Sequence, residues 1–518
     1  SGSILLNGRN VIASANILTA AGDIAIYGNG GGVHQSGTNE GVATFATISS
    51  TGGNITLDGR SNGGSRSGVK MQTGTLISTT GSGSVTINGV SSNGSYSMTY
   101  GVNVYRACIT TSAGNLTING TSCSTGATTR GVNIANVTTN VSSTGGGQVT
   151  ITGRTAITSR TGIRNESNIV STGGLIALQT NCLVLTGNVN ATTSGTVVIQ
   201  SLGAAINLGG IDTTANLGLS SGEINNITAG TLFINSNSGN ILNSAAIDRT
   251  NATLGTNLTL ISGGSITQTG AGNLVISGTA NFVSSGTGSS GNIILDNANN
   301  NFNSVTACGT NITIVDSNAL TLDTITGNGR VSITAQNLNI NSTIDATLGG
   351  SVFLIPASGY IVDLGTKSSG NFGLTATEIN NITGGSLTIG SNSSGAIDNT
   401  APIDRSNATL GTNLTLISGN TITQSGAGNL VISGAANIVS SGTGTSGNIT
   451  LNNATNKFFT TGSLVACGTN VTIFNSNSTA LGSISATSLT VNSTGGAITQ
   501  LAGYNLTIPG TANFIALG

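Results

Sequence analysis

Two places in this chain set a carboxylate beside a guanidinium: Asp248 with Arg249, in AIDRTNATLG, and Asp404 with Arg405, in PIDRSNATLG. Carboxylates with a neighbouring base are what polysaccharide cleavage requires, two of them within about 5–10 Å around the scissile bond. Here, however, the two pairs are copies of one position in a long repeat, and the chain holds no Trp and a single histidine. They read as a repeated structural ion pair. His34, in the loop-like GGGVHQSG, has no partners for a Ser–His–Asp or metal constellation. The five cysteines, Cys108, Cys123, Cys182, Cys308 and Cys467, show no CxxC spacing. Cys308 and Cys467 stand in matching phrases, TACGTNIT and VACGTNVT, and read as small buried residues at a repeated turn; a Cys108–Cys123 bridge is left open. No GxxxxGK[ST] phosphate loop occurs. The residues predict no catalytic centre, metal site or cofactor.

Recognition chemistry is concentrated elsewhere. Arg60, Arg66, Lys70, Tyr96, Tyr100, Tyr105, Arg106 and Arg130 recur at intervals of about 30 residues within 60–130. Arg and Tyr on loops held by a rigid frame are the side chains that most often anchor binding. If successive inserts stack, these residues form a basic, Tyr-bearing stripe suited to glycans or acidic polymers; otherwise the inserts merely cap a sheet edge and their arginines are solvated. Segment 1–174 carries nine basic and four acidic residues, and 175–518 five and eleven.

The elements that must position this chemistry follow from the repeats. The 518 residues include 79 Gly and 3 Pro, about 6% are charged, and the net charge is −1. Such a chain is apolar enough to fold; its charge offers no electrostatic case for nucleic acid, and no stretch approaches the roughly 18 apolar residues of a membrane-spanning helix. Phrases of alternating apolar and polar residues recur about every 19 residues between 250 and 355, among them NLTLI at 257, NLVIS at 273 and NITIV at 311. Each predicts a short strand with one buried face, bounded by Gly, Asn and Ser turns. A unit this small cannot bury its apolar face alone, so units stack, each strand pairing with its equivalent about 4.8 Å away and like Asn and Thr forming polar ladders.

The fold class is therefore all-β, a parallel β-helix (β-solenoid) of about 24 coils forming an elongated rod. Residues 1–174 predict long coils of about 30 residues with lateral inserts, because GNITLDG, GSVTING, GNLTING and GQVTITG are 30–33 residues apart with GVKM, GVNV and GVNI between them. Residues 175–330 and 331–486 predict two copies of a cassette of 19-residue coils, since EINNIT returns at Glu378 after Glu223; 487–518 begins a further partial copy. Ser1 and Gly518 each fall inside a strand-like phrase, so the chain reads as an interior stretch of a longer product.

The phrases NLVISGTANF, GNIILDNANNNF and NITIVDSNALTL resemble the repeat regions of filamentous haemagglutinin-like exoproteins, which bacteria export by two-partner secretion. That resemblance implies a right-handed β-helix, secreted and held at the bacterial cell surface or released outside it. It further implies the non-catalytic shaft of an adhesin or extracellular fibre, with host or neighbouring-cell glycans or matrix polymers as partners. A subunit of a self-assembling filament, associating end to end or laterally, is the alternative, and a β-helix polysaccharide lyase or glycosidase a third reading.

Overall fold

The computed structural model describes residues 2–29 and 40–517, in two compact units, 1–278 and 279–518. His34 and its loop lie outside the described residues.

In the first unit the chain winds through three faces, successive strands of a face pairing in parallel one coil apart. The first face runs Ile4–Gly8, Ile24–Asn29, Ile55–Arg60, Val85–Val90, Leu116–Ser122, Val149–Thr155, Leu175–Gln179, Thr196–Ser201, Thr231–Ser236 and Asn257–Ser262. Its two inward rows, Ile55–Val85–Leu116–Val149–Ile176–Val197–Leu232–Leu258 and Leu57–Ile87–Ile118–Ile151–Leu178–Ile199–Ile234–Leu260, are fully buried. The second face includes Val69–Met71, Tyr100–Tyr105, Arg130–Ala135, Ile163–Asn165 and Leu183–Leu185, and the third Leu76–Thr79, Cys108–Thr111, Asn140–Ser143 and Asn168–Ser171. Inward hydroxyls at the end of the third face donate to carbonyls of the next corner, as Ser50 does to Gly22 (3.0 Å) and Ser171 to Gly147 (2.8 Å). These two are thereby buried without an unmet hydrogen bond, whereas the hydroxyl of Thr111 in the same row is buried without a partner. The polar ladders are present too: Asn119 Nδ2 donates to Asn88 Oδ1 (3.0 Å) and Asn133 Nδ2 to Asn103 Oδ1 (2.8 Å).

The long coils are short coils with a pinched-off insert. Gly59, Gly89, Gly120 and Gly153 share one row at the end of the first face, and Gly68, Gly101, Gly131 and Gly162 face them at the start of the second. The two rows approach so closely that a Cβ on Gly59, Gly89, Gly120 or Gly153 would lie 2.0–2.1 Å from the carbonyl oxygen of its partner. Only glycine fits. Ile55 advances 30 residues to Val85, and the insert 60–67 accounts for 8 of them. The 22 that remain match the 21-residue advance from Ile176 to Val197, where no insert exists.

The expected uniform 19-residue advance holds for Ile293 to Ile312 to Val331 but not throughout. Val197 advances 35 residues to Leu232, and Val352 advances 35 to Leu387. In each case the chain runs forward and then steps back. Ala205–Leu208 pairs with Ile241–Asn243 on one side and with Asn216–Leu219 on the other, and Val362–Gly365 likewise pairs with Ile397–Asn399 and Phe372–Thr375. Each return ends in a single α-helical turn, Ser221–Asn225 or Ala376–Asn380, started by a capping box of Ser220 with Glu223 or Thr375 with Glu378. The same glutamates reach a neighbouring strand: Glu223 accepts the Leu185 N–H (3.1 Å) and Glu378 the Ile340 N–H (2.9 Å). EINNIT thus fills a row that the coil path leaves open.

The second unit has the same construction, with a buried row Ile293–Ile312–Val331–Val352–Leu387–Leu414–Ala436–Leu464.

Candidate functional site

The Asp–Arg pairs are not ion pairs. Ile247–Arg249 and Ile403–Arg405 are strands, in which neighbours point to opposite sides, so Asp248 and Asp404 are exposed while Arg249 and Arg405 are buried inside the coil. Arg249 donates to the carbonyls of Ile227 (3.1 Å), Ala229 (3.2 Å) and Leu254 (2.9 Å), and Arg405 to those of Ile379, Ile382 (2.9 Å) and Leu410 (2.7 Å). Burial lowers both guanidinium pKa values, that of Arg405 to about 10, still charged at neutral pH. Each arginine ties together carbonyls where the coil closes after the step-back.

Three further titratable groups, Cys182, Asp212 and Asp316, are also used within the fold. Cys182 donates its thiol proton to Asp212 (3.1 Å); burial first, and then that carboxylate, push the thiol up to about 12, so it stays protonated and is not an activated nucleophile. Burial raises Asp212 to about 6 as well. It does the same to Asp316, which accepts the N–H groups of Phe302 (2.6 Å) and Asn318 (2.8 Å). In the second copy Asn475 takes this place, accepting from Phe458 (2.9 Å) and Asn477 (3.3 Å) and donating to the carbonyl of Phe458 (3.0 Å). No group of three His, Cys, Asp or Glu residues able to hold a metal occurs among the described residues. All five cysteines are free, and Cys308 and Cys467 are exposed instead of buried: Ala307 and Ala466 take the inward positions, which turns the next residue outward.

The predicted stripe divides. Arg60, exposed, ends a first-face strand, and Tyr96 is exposed on the insert 91–99. Arg66 and Lys70 both reach the buried carboxylate of Glu40, at 3.8 and 3.1 Å. Tyr100, buried, receives a hydrogen bond from Arg130 (3.3 Å) on the next strand, whose guanidinium lies 5.5 Å from the ring centre. Burial lowers the pKa of Arg130. Tyr105, the last residue of its second-face strand, and Arg106, whose guanidinium lies 5.4 Å from the Tyr105 ring centre, are at the corner leading to the third face. The inserts therefore bring Arg60, Arg66, Lys70, Tyr96, Tyr100 and Arg130 to one corner region, partly neutralised by Glu40, and leave Tyr105 and Arg106 on another.

A cavity of about 480 Å³ opens at the first corner, where long inserts give way to short turns. The connections 91–99, 123–129 and 156–162 are followed by 180–182 and 202–204, of three residues each. Asn93 and Cys123 line it from the long inserts, Asn181 and Leu202 from the short turns, and Arg154 and Arg160 from the insert held between Gly153 and Gly162. These arginines were absent from the predicted stripe. Their signal was present in GRTAITSRTG, two basic residues between a pair of neck glycines.

A family model described as "Repeats of unknown function (DUF5649)" matches residues 236–308, 392–465 and 468–518, so the chain is similar to that family over part of each cassette copy and over the final partial copy. No curated protein and no solved structure matches the chain.

Proposed function

We propose that this chain is the non-catalytic β-helical shaft of a secreted bacterial surface protein, an adhesin or extracellular fibre that attaches to glycans or matrix polymers. The observation that carries this reading is where the charged groups go. Arg249, Arg405, Glu223, Glu378, Glu40 and Asp316 all serve the coil itself, whereas Arg and Tyr are held out on glycine-necked inserts. Side chains spent on backbone carbonyls and amides cannot also serve as acid, base or nucleophile. The likeness of the repeat phrases to filamentous haemagglutinin-like exoproteins supports the same reading.

Beads coated with the purified chain should be retained on cultured animal cells, on extracted matrix or on bacterial biofilm more than albumin-coated beads. Retention no better than albumin on all three refutes an attachment role. Release of reducing ends from any of a panel of polysaccharides refutes the non-catalytic one.

A further inference from the structure

The cavity at the step between long and short corners is charged in one sense only. Arg154 and Arg160 line it and no acidic residue does. Among the described residues neither arginine is within ion-pair distance of a carboxylate, and the Nε of Arg160 is buried without a hydrogen-bond partner. A buried donor left unmet costs free energy that an acceptor entering the cavity would recover. The contrast with Arg249 lies in the terminal nitrogens: its Nε is unmet too, but its Nη1 and Nη2 are taken by three carbonyls, whereas among the described residues the guanidinium groups of Arg154 and Arg160 make no hydrogen bond.

The backbone that carries the arginines is also held in place beforehand. Arg154 extends the first-face row that pairs it with Thr121. The loop that follows is closed on itself: the Arg160 N–H donates to the Ile157 carbonyl (2.9 Å), and the Thr155 hydroxyl bridges the carbonyls of Ile157 (2.8 Å) and Arg160 (3.2 Å). Thr158 fastens the same loop to the Thr214 carbonyl (3.3 Å). A loop fixed in this way loses little freedom when it binds. The volume is in the range of small-ligand sites, about 300–1,000 Å³, and Asn93 and Asn181 bring amides that pair with hydroxyl groups. No aromatic ring lines the cavity, so there is no stacking platform for a neutral sugar. Guanidinium groups match carboxylate, sulfate and phosphate through paired N–H donors.

We propose that this cavity binds an oxyanion-bearing sugar residue, a uronate or a sulfated sugar, through Arg154 and Arg160. The identification rests on the attachment reading for its biological setting, but the site stands on its own geometry. The test uses the thiols already present. Cys123 lines the cavity, whereas Cys308 and Cys467 are exposed outside it and serve as internal references. The full chain is alkylated with iodoacetamide, and the rate at each cysteine is followed by peptide mass spectrometry. The additives are a galacturonate disaccharide, a sulfated disaccharide, the neutral disaccharide maltose and inorganic sulfate.

Either or both acidic disaccharides should slow Cys123 at least threefold relative to the reference thiols, and the one that does so identifies uronate or sulfated sugar. Maltose should not slow it, and inorganic sulfate should do so only at much higher concentration. Arg154→Ser with Arg160→Ser should abolish the protection, and Arg60→Ser should leave it. No protection by either acidic sugar, equal protection by maltose, equal protection by inorganic sulfate at the same concentration, or survival of protection in the double variant overturns the proposal. Since the wild-type chain alone can fail this test, a misfolded variant does not rescue it. Beads that fail to attach while Cys123 is protected would sink the attachment reading and leave the site.

Discussion

Asp316→Asn should stabilise its coil at neutral pH and make no difference in acid. The Asp316 carboxyl is buried, and burial lifts it from the ordinary 3.8 to about 6 in spite of two amide donors. A shift of about two units, at roughly 1.4 kcal/mol each, means that holding the ionised form in the folded coil costs on the order of 1–3 kcal/mol. The sign follows from linkage. A carboxyl whose folded pKa is raised contributes fully below the unfolded value, and that contribution is lost as pH rises through the folded one. Asparagine carries no charge to bury. The second copy shows that it fits, with Asn475 accepting from the Phe458 and Asn477 amides and adding donations of its own. Hydrogen exchange at the amides of Phe302 and Asn318 reads the local opening equilibrium. At pH 7.5 those amides in Asp316→Asn should exchange roughly 5- to 150-fold more slowly than in the wild-type chain. At pH 4, near the unfolded pKa, the difference should shrink to about twofold. The Phe458 and Asn477 amides should match between the two proteins at both pH values. Faster exchange in the variant at pH 7.5, or an equal difference at both pH values, would falsify the assignment of that cost to the buried charge.

Three other outcomes follow from the coil. Gly120→Ala places a Cβ 2.1 Å from the Gly131 carbonyl oxygen and should cost about 1–3 kcal/mol, seen as faster exchange in 116–122 and 130–135, whereas Gly74→Ala, a left-handed glycine with open space around it, should cost about 1–2 kcal/mol and only locally. Arg249→Met takes the guanidinium from the carbonyls of Ile227 and Ala229 and leaves that of Leu254 with only the Ala229 N–H, and it should cost roughly 2–4 kcal/mol, opening 225–255 to limited proteolysis while 100–150 stays resistant; equal cleavage of both stretches would count against it. Leu414→Asn puts an amide into the fully buried row between Leu387 and Ala436, and exchange should accelerate by tenfold or more in those two strands before it changes at Leu489; uniform acceleration across the second unit contradicts nearest-neighbour stacking.

Much of this architecture was legible because strand side chains alternate. Leu258 and Leu260 point inward and Thr259 does not, as NLTLI implies, and the Asn ladders fall where like residues recur. The same alternation held the answer to the Asp–Arg pairs: two adjacent strand residues cannot share a face, so a salt bridge between Asp248 and Arg249 was excluded by the period that identified the strand. Backbone carbonyls are what satisfy each arginine inside the coil. The one-turn helices had a local signature in Ser220-x-x-Glu223 and Thr375-x-x-Glu378, which the strand-like phrase around them obscured. The stripe was legible only in part. Spacing by one coil shows that residues stack, but it does not reveal which corner they stack on, and Tyr105 and Arg106 fall one face further along than Tyr96. The cavity was not legible, because it depends on the difference in length between neighbouring connections.

The paired neck glycines separate two kinds of inheritance in one polypeptide. Between Gly120 and Gly131, or Gly153 and Gly162, the intervening text can lengthen, shorten or change wholesale, because the winding resumes from the same two backbone contacts whatever lies between them. The coil therefore behaves as a rack with standard sockets. Loops can be exchanged among sockets, and new surfaces tried out under selection, without retuning the hydrophobic rows beneath. An engineer wishing to mount a peptide or a fluorophore on this chain would cut at the same places, leaving each glycine in position as the fitting.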